Sequence, residues 1–181
     1  MNIFVTDPDP HKSAECLPDK HIVKMPLETC QMLSIVGSDK WGHGFGTLPR
    51  LDGQPYKTDK GAFRNHPCTI WAQSHWTWLI NHGLGLCAEY THRYGKTHSC
   101  QSTIEYANMI FPHHDDHPTT FTRAMPDVFK HDTSIDTFTA YKSYISSKPW
   151  VASNYIRDPS RKPHWVFNED KFTRNALGMP S

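Results

Sequence analysis

Residues 65–95 read NHPCTIWAQSHWTWLINHGLGLCAEYTHRYG, and the periodicity of this stretch decides the fold class. Cys68, Ala72, Trp76, Leu79, Gly83, Leu86, Cys87, Tyr90 and Tyr94 recur at near-helical spacing, so one helix face is apolar over about 67–94. Asn65 is the expected cap, Pro67 suits the first turn, and Gly95 supplies a stop. A neighbouring stripe holds Trp71, His75, Trp78, His82, Glu89 and Arg93. It is too polar for a plain core and too rich in tryptophan for a plain surface. Two readings of it stand: a partly buried helix with satisfied histidines, or a pocket wall in which His75, Trp78, His82 and Glu89 meet a ligand.

A second helix is expected upstream, over about 12–37, broken near Pro18 and bent or interrupted at Pro26. Ile22, Val23, Leu27, Cys30, Leu33 and Ile35 are its apolar positions. His21, Lys24 and Glu28 follow one another at spacings of three and four, so they share a face. An imidazole, an amine and an acid on one face can carry proton-transfer and imine chemistry. The same trio also fits a solvated face, because a Lys four residues before a Glu is an ordinary surface pair. Further helices are expected over about 99–110, ended by Pro112, and from Thr133 or Ser134, burying Ile135, Phe138, Tyr141 and Ile145. Residues 3–6 read as a short strand or extended lead-in, and Asp7-Pro8-Asp9-Pro10 as a rigid turn. The chain is therefore read as mainly α: one compact helical domain over 1–167, with long loops and a C-terminal tail over 168–181.

Composition narrows the function classes. The formal charge of +1 over 181 residues excludes polyanion binding by bulk charge, so a nucleic-acid surface has to be a local patch. No apolar run is long enough to span a membrane, and residues 1–7 lack the pattern of a secretory signal. Cys16, Cys30, Cys68, Cys87 and Cys100 are odd in number and scattered, which reads as free thiols in a reducing, cytoplasmic setting. The densest group of the thirteen histidines is His113-His114-Asp115-Asp116-His117, between Pro112 and Pro118. Imidazole and carboxylate are suitable metal ligands, but adjacent ligands in a short loop rarely converge on one ion. It is read as a polar loop, with no metal and no cofactor assigned.

Two basic regions remain. The loop over about 38–66 is rich in Gly and Pro and carries Arg50, Lys57, Lys60 and Arg64, a candidate contact surface. After Pro149 the chain interleaves bases and aromatics: Trp150, Tyr155, Arg157, Arg161, Lys162, His164, Trp165 and Phe167. That pattern suits contact with phosphates and bases, and equally a segment whose aromatics dock on the domain.

The order Leu17, His21, Glu28 resembles the N-terminal region of the phage pyrimidine-dimer DNA glycosylases, where a His and a catalytic Glu stand at the same separation. Asn65-His66-Pro67, Trp71, Leu79, Glu89, Arg93 and Gly95 are similar to that family's second region, and Lys162-Pro163-His164-Trp165 is similar in kind to its DNA-contacting tail. The chain also resembles a set of phage-encoded proteins with D-K-H-x-V-K-M, N-H-P-C-x-x-W-A, R-Y-G-K-T-H and A-M-P-D motifs, here Asp19–Met25, Asn65–Ala72, Arg93–His98 and Ala124–Asp127. This second resemblance covers about 15–165 and names no activity.

The glycosylase resemblance implies DNA as partner, Glu28, His21 and Lys24 as catalytic residues, and the cytoplasm of a host cell as location. It implies DNA contacts through Arg64, Asn65, His66, Arg93, Lys96, His98, Lys162 and Trp165. The family's nucleophile is the amine of the N-terminal residue, usually Thr after Met removal. Here Asn2 follows Met1, so the Met1 amine, a trimmed Asn2 amine and Lys24 all stand as nucleophiles. Two readings from other classes stand beside the glycosylase. One is a non-catalytic phage accessory protein binding a nucleotide or a host protein through His75, Trp78 and His82. The other is a metal-dependent hydrolase.

Overall fold

The computed structural model describes residues 1–166, so Phe167 and the tail over 168–181 lie outside the described residues. Among the described residues the secondary structure is helical. It comprises α1 (Pro10–Glu15), α2 (Asp19–Gly37), α3 (Pro67–Ala72), α4 (Trp76–Tyr94), α5 (Gln101–Ile110), α6 (Asp127–Lys130), α7 (Thr137–Ser146) and a 3₁₀ turn at Pro159–Arg161. The fold is mainly α, as the periodicity predicts.

Helix α4 is the axis of the molecule, packing on α1, α2 and α5. Leu79, Leu86 and Cys87 point into the core with Leu17, Ile22, Met32, Leu33, Ile104, Tyr141 and Ile145. Gly83 sets how closely α2 approaches, because a Cβ there would stand 2.8 Å from Thr29 Cγ2 and 3.1 Å from Ile104 Cδ1. The break at Pro18 separates α1 from α2 as expected, whereas Pro26 sits inside α2 without ending it.

Three local expectations are corrected. The long helix over 67–94 is two helices, α3 and α4. Ser74 and His75 donate their N–H groups to the carbonyls of Trp71 and Ala72, three residues back, which closes a tight turn. Asp116 then caps the new helix from a distance: its Oδ2 accepts from Trp78 N at 3.2 Å and its Oδ1 pairs with His75 Nδ1 at 2.9 Å. The cap of α3 is His66, whose Nδ1 accepts from Cys68 N at 3.1 Å, and Asn65 is exposed. Asp136 is the N-cap of α7, accepting from Thr139 N at 2.7 Å, so that helix starts at Thr137.

Residues 3–6 form no strand but are buried. Asn2 folds this lead-in. Its Oδ1 accepts from Ile3 N at 2.8 Å and Phe4 N at 2.9 Å, and its Nδ2 donates to Ala124 O at 2.7 Å. Phe4 is thereby held at φ 41°, a conformation that non-glycine residues rarely adopt. Tyr141 pins the other side, donating to Thr122 O and accepting from Ala124 N. Among the described residues no helix is long and apolar enough to cross a membrane.

Candidate active site

The amine of Met1 lies 3.1 Å from Glu28 Oε1, and Lys24 Nζ lies 3.8 Å from Glu28 Oε2. The Glu28 side chain is 10% exposed and Lys24 is 73% exposed, so the carboxylate is a buried acceptor between an internal amine and an external one. That burial excludes a solvated face for His21 and Glu28, while Lys24 stays on the solvated side. Helix α2 points His21 and Glu28 inward and leaves Val23, Lys24 and Leu27 outward, although Val23 and Leu27 are apolar.

A cleft of about 360 Å³ opens over this pair, walled by Met1, Phe4, His21, Glu28, Tyr144 and Trp150, with Lys20, Lys24 and Lys148 at its edge. Phe4 stacks on His21 with ring centroids 4.0 Å apart, and Trp150 meets His21 edge-on at 5.7 Å. His21 Nδ1 is buried without a protein hydrogen-bond partner. Burial, with Lys148 and Lys24 adding repulsion, pushes the His21 imidazole down to about 3. At neutral pH the cleft thus presents a neutral imidazole beside a carboxylate and an amine. Lys20 lies 4.4 Å over Trp150 and Lys148 4.3 Å over Tyr144. These aromatics hold cations at the mouth while presenting flat apolar faces.

Helix α2 continues past the cleft as the floor of two open grooves. One, of about 850 Å³, lies between Lys20, Lys24 and the segment Asn154–Arg157, where Arg157 packs 4.7 Å over Tyr94. The other, of about 460 Å³, runs from Val23 and Leu27 to Lys96 and Cys100. Lys24 borders all three depressions.

The expected DNA contacts divide accordingly. Lys96 is exposed on a groove wall. His66 is half-buried and close enough to the Met1 amine and Glu28 to be influenced by both, although burial is the main cause that lowers its pKa. His98 is buried with Nε2 on Val23 O, and Arg64 is folded back on Trp41 at 4.4 Å. Lys162 and Trp165 are half-buried, and Trp165 packs against the core.

Arg93 departs furthest from expectation. Its side chain is buried and binds Glu89 at 2.8 Å, Asp19 at 3.1 Å, and the carbonyls of Leu17 and Glu15. Glu89 also accepts from Arg161 Nε at 2.9 Å. This network ties the α1–α2 junction and the C-terminal segment to α4, and it leaves Arg93 no free donor face for a phosphate. Of the pocket wall expected from His75, Trp78, His82 and Glu89, Trp78 borders a depression of about 510 Å³ with Thr77, Asn81 and the loop 114–118, while the other three are engaged within the protein. His82 is fully buried under Trp78, with ring centroids 5.0 Å apart, and His75 pairs with Asp116. The His-rich loop is largely exposed, although His114 stacks on Trp76 at 4.6 Å and Asp116 is held at the start of α4. Among the described residues no group of three or more His, Cys, Asp or Glu is arranged to hold a metal ion.

The sequence does not mark Lys20, Lys148, Tyr144 or Phe4 as site residues, and it shows Trp150 only within an aromatic run. For Tyr144, Lys148 and Trp150 the sequence signal is the interleaving of bases and aromatics around Pro149. Nothing in it says that this segment folds against residues 1–28.

A small helical protein with an amine–carboxylate pair at the foot of a base-rimmed aromatic cleft is the class that fold and site define. A family model described as pyrimidine dimer DNA glycosylase matches residues 1–102. The chain belongs to the pyrimidine dimer DNA glycosylase family, and that membership implies a DNA substrate. No curated protein and no solved structure matches it. The matched range contains Met1, His21, Lys24, Glu28 and His66, whereas Tyr144, Lys148, Trp150 and Arg157 lie beyond it.

Proposed function

We propose that the protein excises a damaged or modified pyrimidine from DNA and then cleaves the strand, with the Met1 amine as nucleophile. The 3.1 Å contact between that amine and Glu28 carries the reading. The amine attacks C1′ of the nucleotide, forming a C–N bond as the glycosidic bond breaks and the base departs with its electron pair. Loss of the amine's protons and opening of the sugar give an imine. Glu28 stabilises the positive charge developing on the sugar and relays protons between amine, sugar and solvent. Neutral His21 offers a hydrogen bond inside the cleft without adding charge to it. Lys24 is a second amine at the same carboxylate, but its exposure leaves it in the solvated state that suits phosphate contact.

DNA lies along the outward face of α2, with Lys20, Lys24, Lys96, Lys148 and Arg157 facing its phosphates. Such a patch reconciles DNA binding with a net charge near zero. Strand cleavage of ultraviolet-irradiated duplex tests the reading. Irradiated DNA is expected to be nicked by the wild-type protein and left intact by Glu28→Gln, with both proteins binding it. Equal nicking by the two would remove Glu28 from the chemistry, and no nicking of irradiated or abasic DNA by the wild type would overturn the proposal.

A further inference from the structure

The exposed residues of α2 are Lys20, Val23, Lys24 and Leu27, one strip at spacings of three and four, and every other position of the helix except half-buried Gln31 is buried. Two of the four are apolar: Val23 is 45% exposed and Leu27 44%. Val23 and Lys24 line both open grooves, so the strip is the ridge between them. The larger groove carries Lys20 and Arg157 on its walls and the smaller carries Lys96, which puts cations on both flanks of an apolar crest. Asp19, the acid that lines the larger groove, is turned inward onto Arg93 at 3.1 Å and the Ile156 N–H at 2.8 Å. Leu27 directly precedes Glu28, whose carboxylate meets Lys24 of the same ridge at 3.8 Å.

We infer that Val23 and Leu27 form a wedge that enters the minor groove of duplex DNA and parts the base step beside the target nucleotide, with Lys20 and Arg157 on one phosphate backbone and Lys96 on the other. The inference rests on the glycosylase reading for its substrate and narrows it to duplex opened from the minor-groove side. A C1′ atom inside a stacked duplex does not reach an amine recessed beside Glu28, so the nucleotide has to leave the stack. Apolar side chains pushed between bases supply contacts that offset the lost stacking. A crest one or two side chains wide suits the minor groove, about 6 Å across, whereas the major groove takes a whole helix. A protein partner fits less well, because the core of a protein interface is depleted of lysine and each apolar side chain here has lysine beside it.

The first arm of the test is the fluorescence of 2-aminopurine placed next to a tetrahydrofuran abasic analogue in duplex DNA, which reports unstacking without chemistry. The wild type is expected to raise it several-fold on binding. The double variant Val23→Ser/Leu27→Ser, folded by thermal melt and added to saturation, is expected to give little rise. The second arm is the ratio of strand cleavage at an abasic site in paired duplex to cleavage at the same site in single-stranded DNA, which has no partner strand to open. That ratio is expected to fall about tenfold or more in the double variant and to stay near the wild-type value in Leu27→Met, which keeps the apolar bulk. Equal ratios for wild type and double variant, with both DNAs cleaved, would overturn the wedge and leave the glycosylase reading standing. A wild type that cleaves neither DNA would overturn the glycosylase reading, and the fluorescence would then decide the wedge alone, no rise refuting it. A wild-type dimer in sedimentation that the double variant loses would assign the face to a second copy of the chain and also overturn the wedge.

Discussion

Replacing His82 with Phe separates a core histidine from a ligand-binding one. His82 is fully buried, stacked on Trp78, and neither ring nitrogen has a protein hydrogen-bond partner. Burial, with a smaller contribution from His11, pushes its pKa from 6.5 down to about 3. A histidine lowered in this way takes up its proton first in the unfolded chain. Its effect on stability is therefore absent above about pH 7 and grows unfavourable as pH falls through 6.5 toward 3. At pH 5 the unfolded state gains about 2 kcal/mol from this one group, rising to about 4 kcal/mol at pH 3 if folding persists. Phe keeps the ring stack and removes both polar atoms. Urea unfolding of wild type and His82→Phe at pH 8, 6 and 5 measures the difference. The variant is expected to be more stable by about 1–3 kcal/mol at pH 8, the desolvation cost of the orphaned nitrogens. The gap should widen by about a further 2 kcal/mol at pH 5. His21, lowered for the same main reason, remains and keeps part of the acid slope. DNA cleavage should be unchanged. A variant with the wild-type pH slope, or one that folds normally and loses cleavage, would show that His82 meets solvent or substrate.

Glu28→Gln should lower turnover by about 10²–10³-fold with DNA affinity retained, because the charge matters where positive charge develops; single-turnover kinetics on irradiated duplex would check this. Lys20→Ala, Lys148→Ala and Arg157→Ala should each weaken DNA binding and reduce the salt slope by about one, as read in affinity titrations between 50 and 200 mM salt, roughly the range where phosphate contacts dominate. Arg93→Ala should instead cost about 3–5 kcal/mol in a denaturant melt, since it strands Asp19 and Glu89 in a buried network, and should leave the salt slope of any folded fraction alone. Leu79→Ala should cost about 2–5 kcal/mol, and more than Trp76→Ala, because Leu79 is fully buried and Trp76 is half-exposed.

Helical periodicity exposed the fold class because α2, α4 and α7 each bury a face long enough to repeat. It could not show the break at 73–75, which depends on Asp116 reaching back some forty residues to cap α4. Nor could it orient the polar faces. The spacing of His21, Lys24 and Glu28 groups them, but only the packing of Phe4 and Trp150 makes His21 a buried wall and leaves Lys24 outside. The same limit misplaced Arg93. Its place in the mixed stripe and in the family resemblance reads as a phosphate contact, while Glu89 one turn away and Asp19 and the carbonyls of Leu17 and Glu15, far away in the chain, converge on it. The cations at the cleft mouth were hidden for a related reason: Lys20 and Lys148 are ordinary surface lysines in sequence and become neighbours only across Trp150.

Which amine reacts decides the mechanism. Borohydride added to the protein with abasic-site DNA would reduce an imine to a stable protein–DNA adduct, and peptide mass mapping would locate it. The expected result is an adduct on the peptide that begins at Met1, formed equally well by Lys24→Ala. An adduct carried by Lys24, or none from folded protein that binds the DNA, would contradict the role given to the Met1 amine at Glu28.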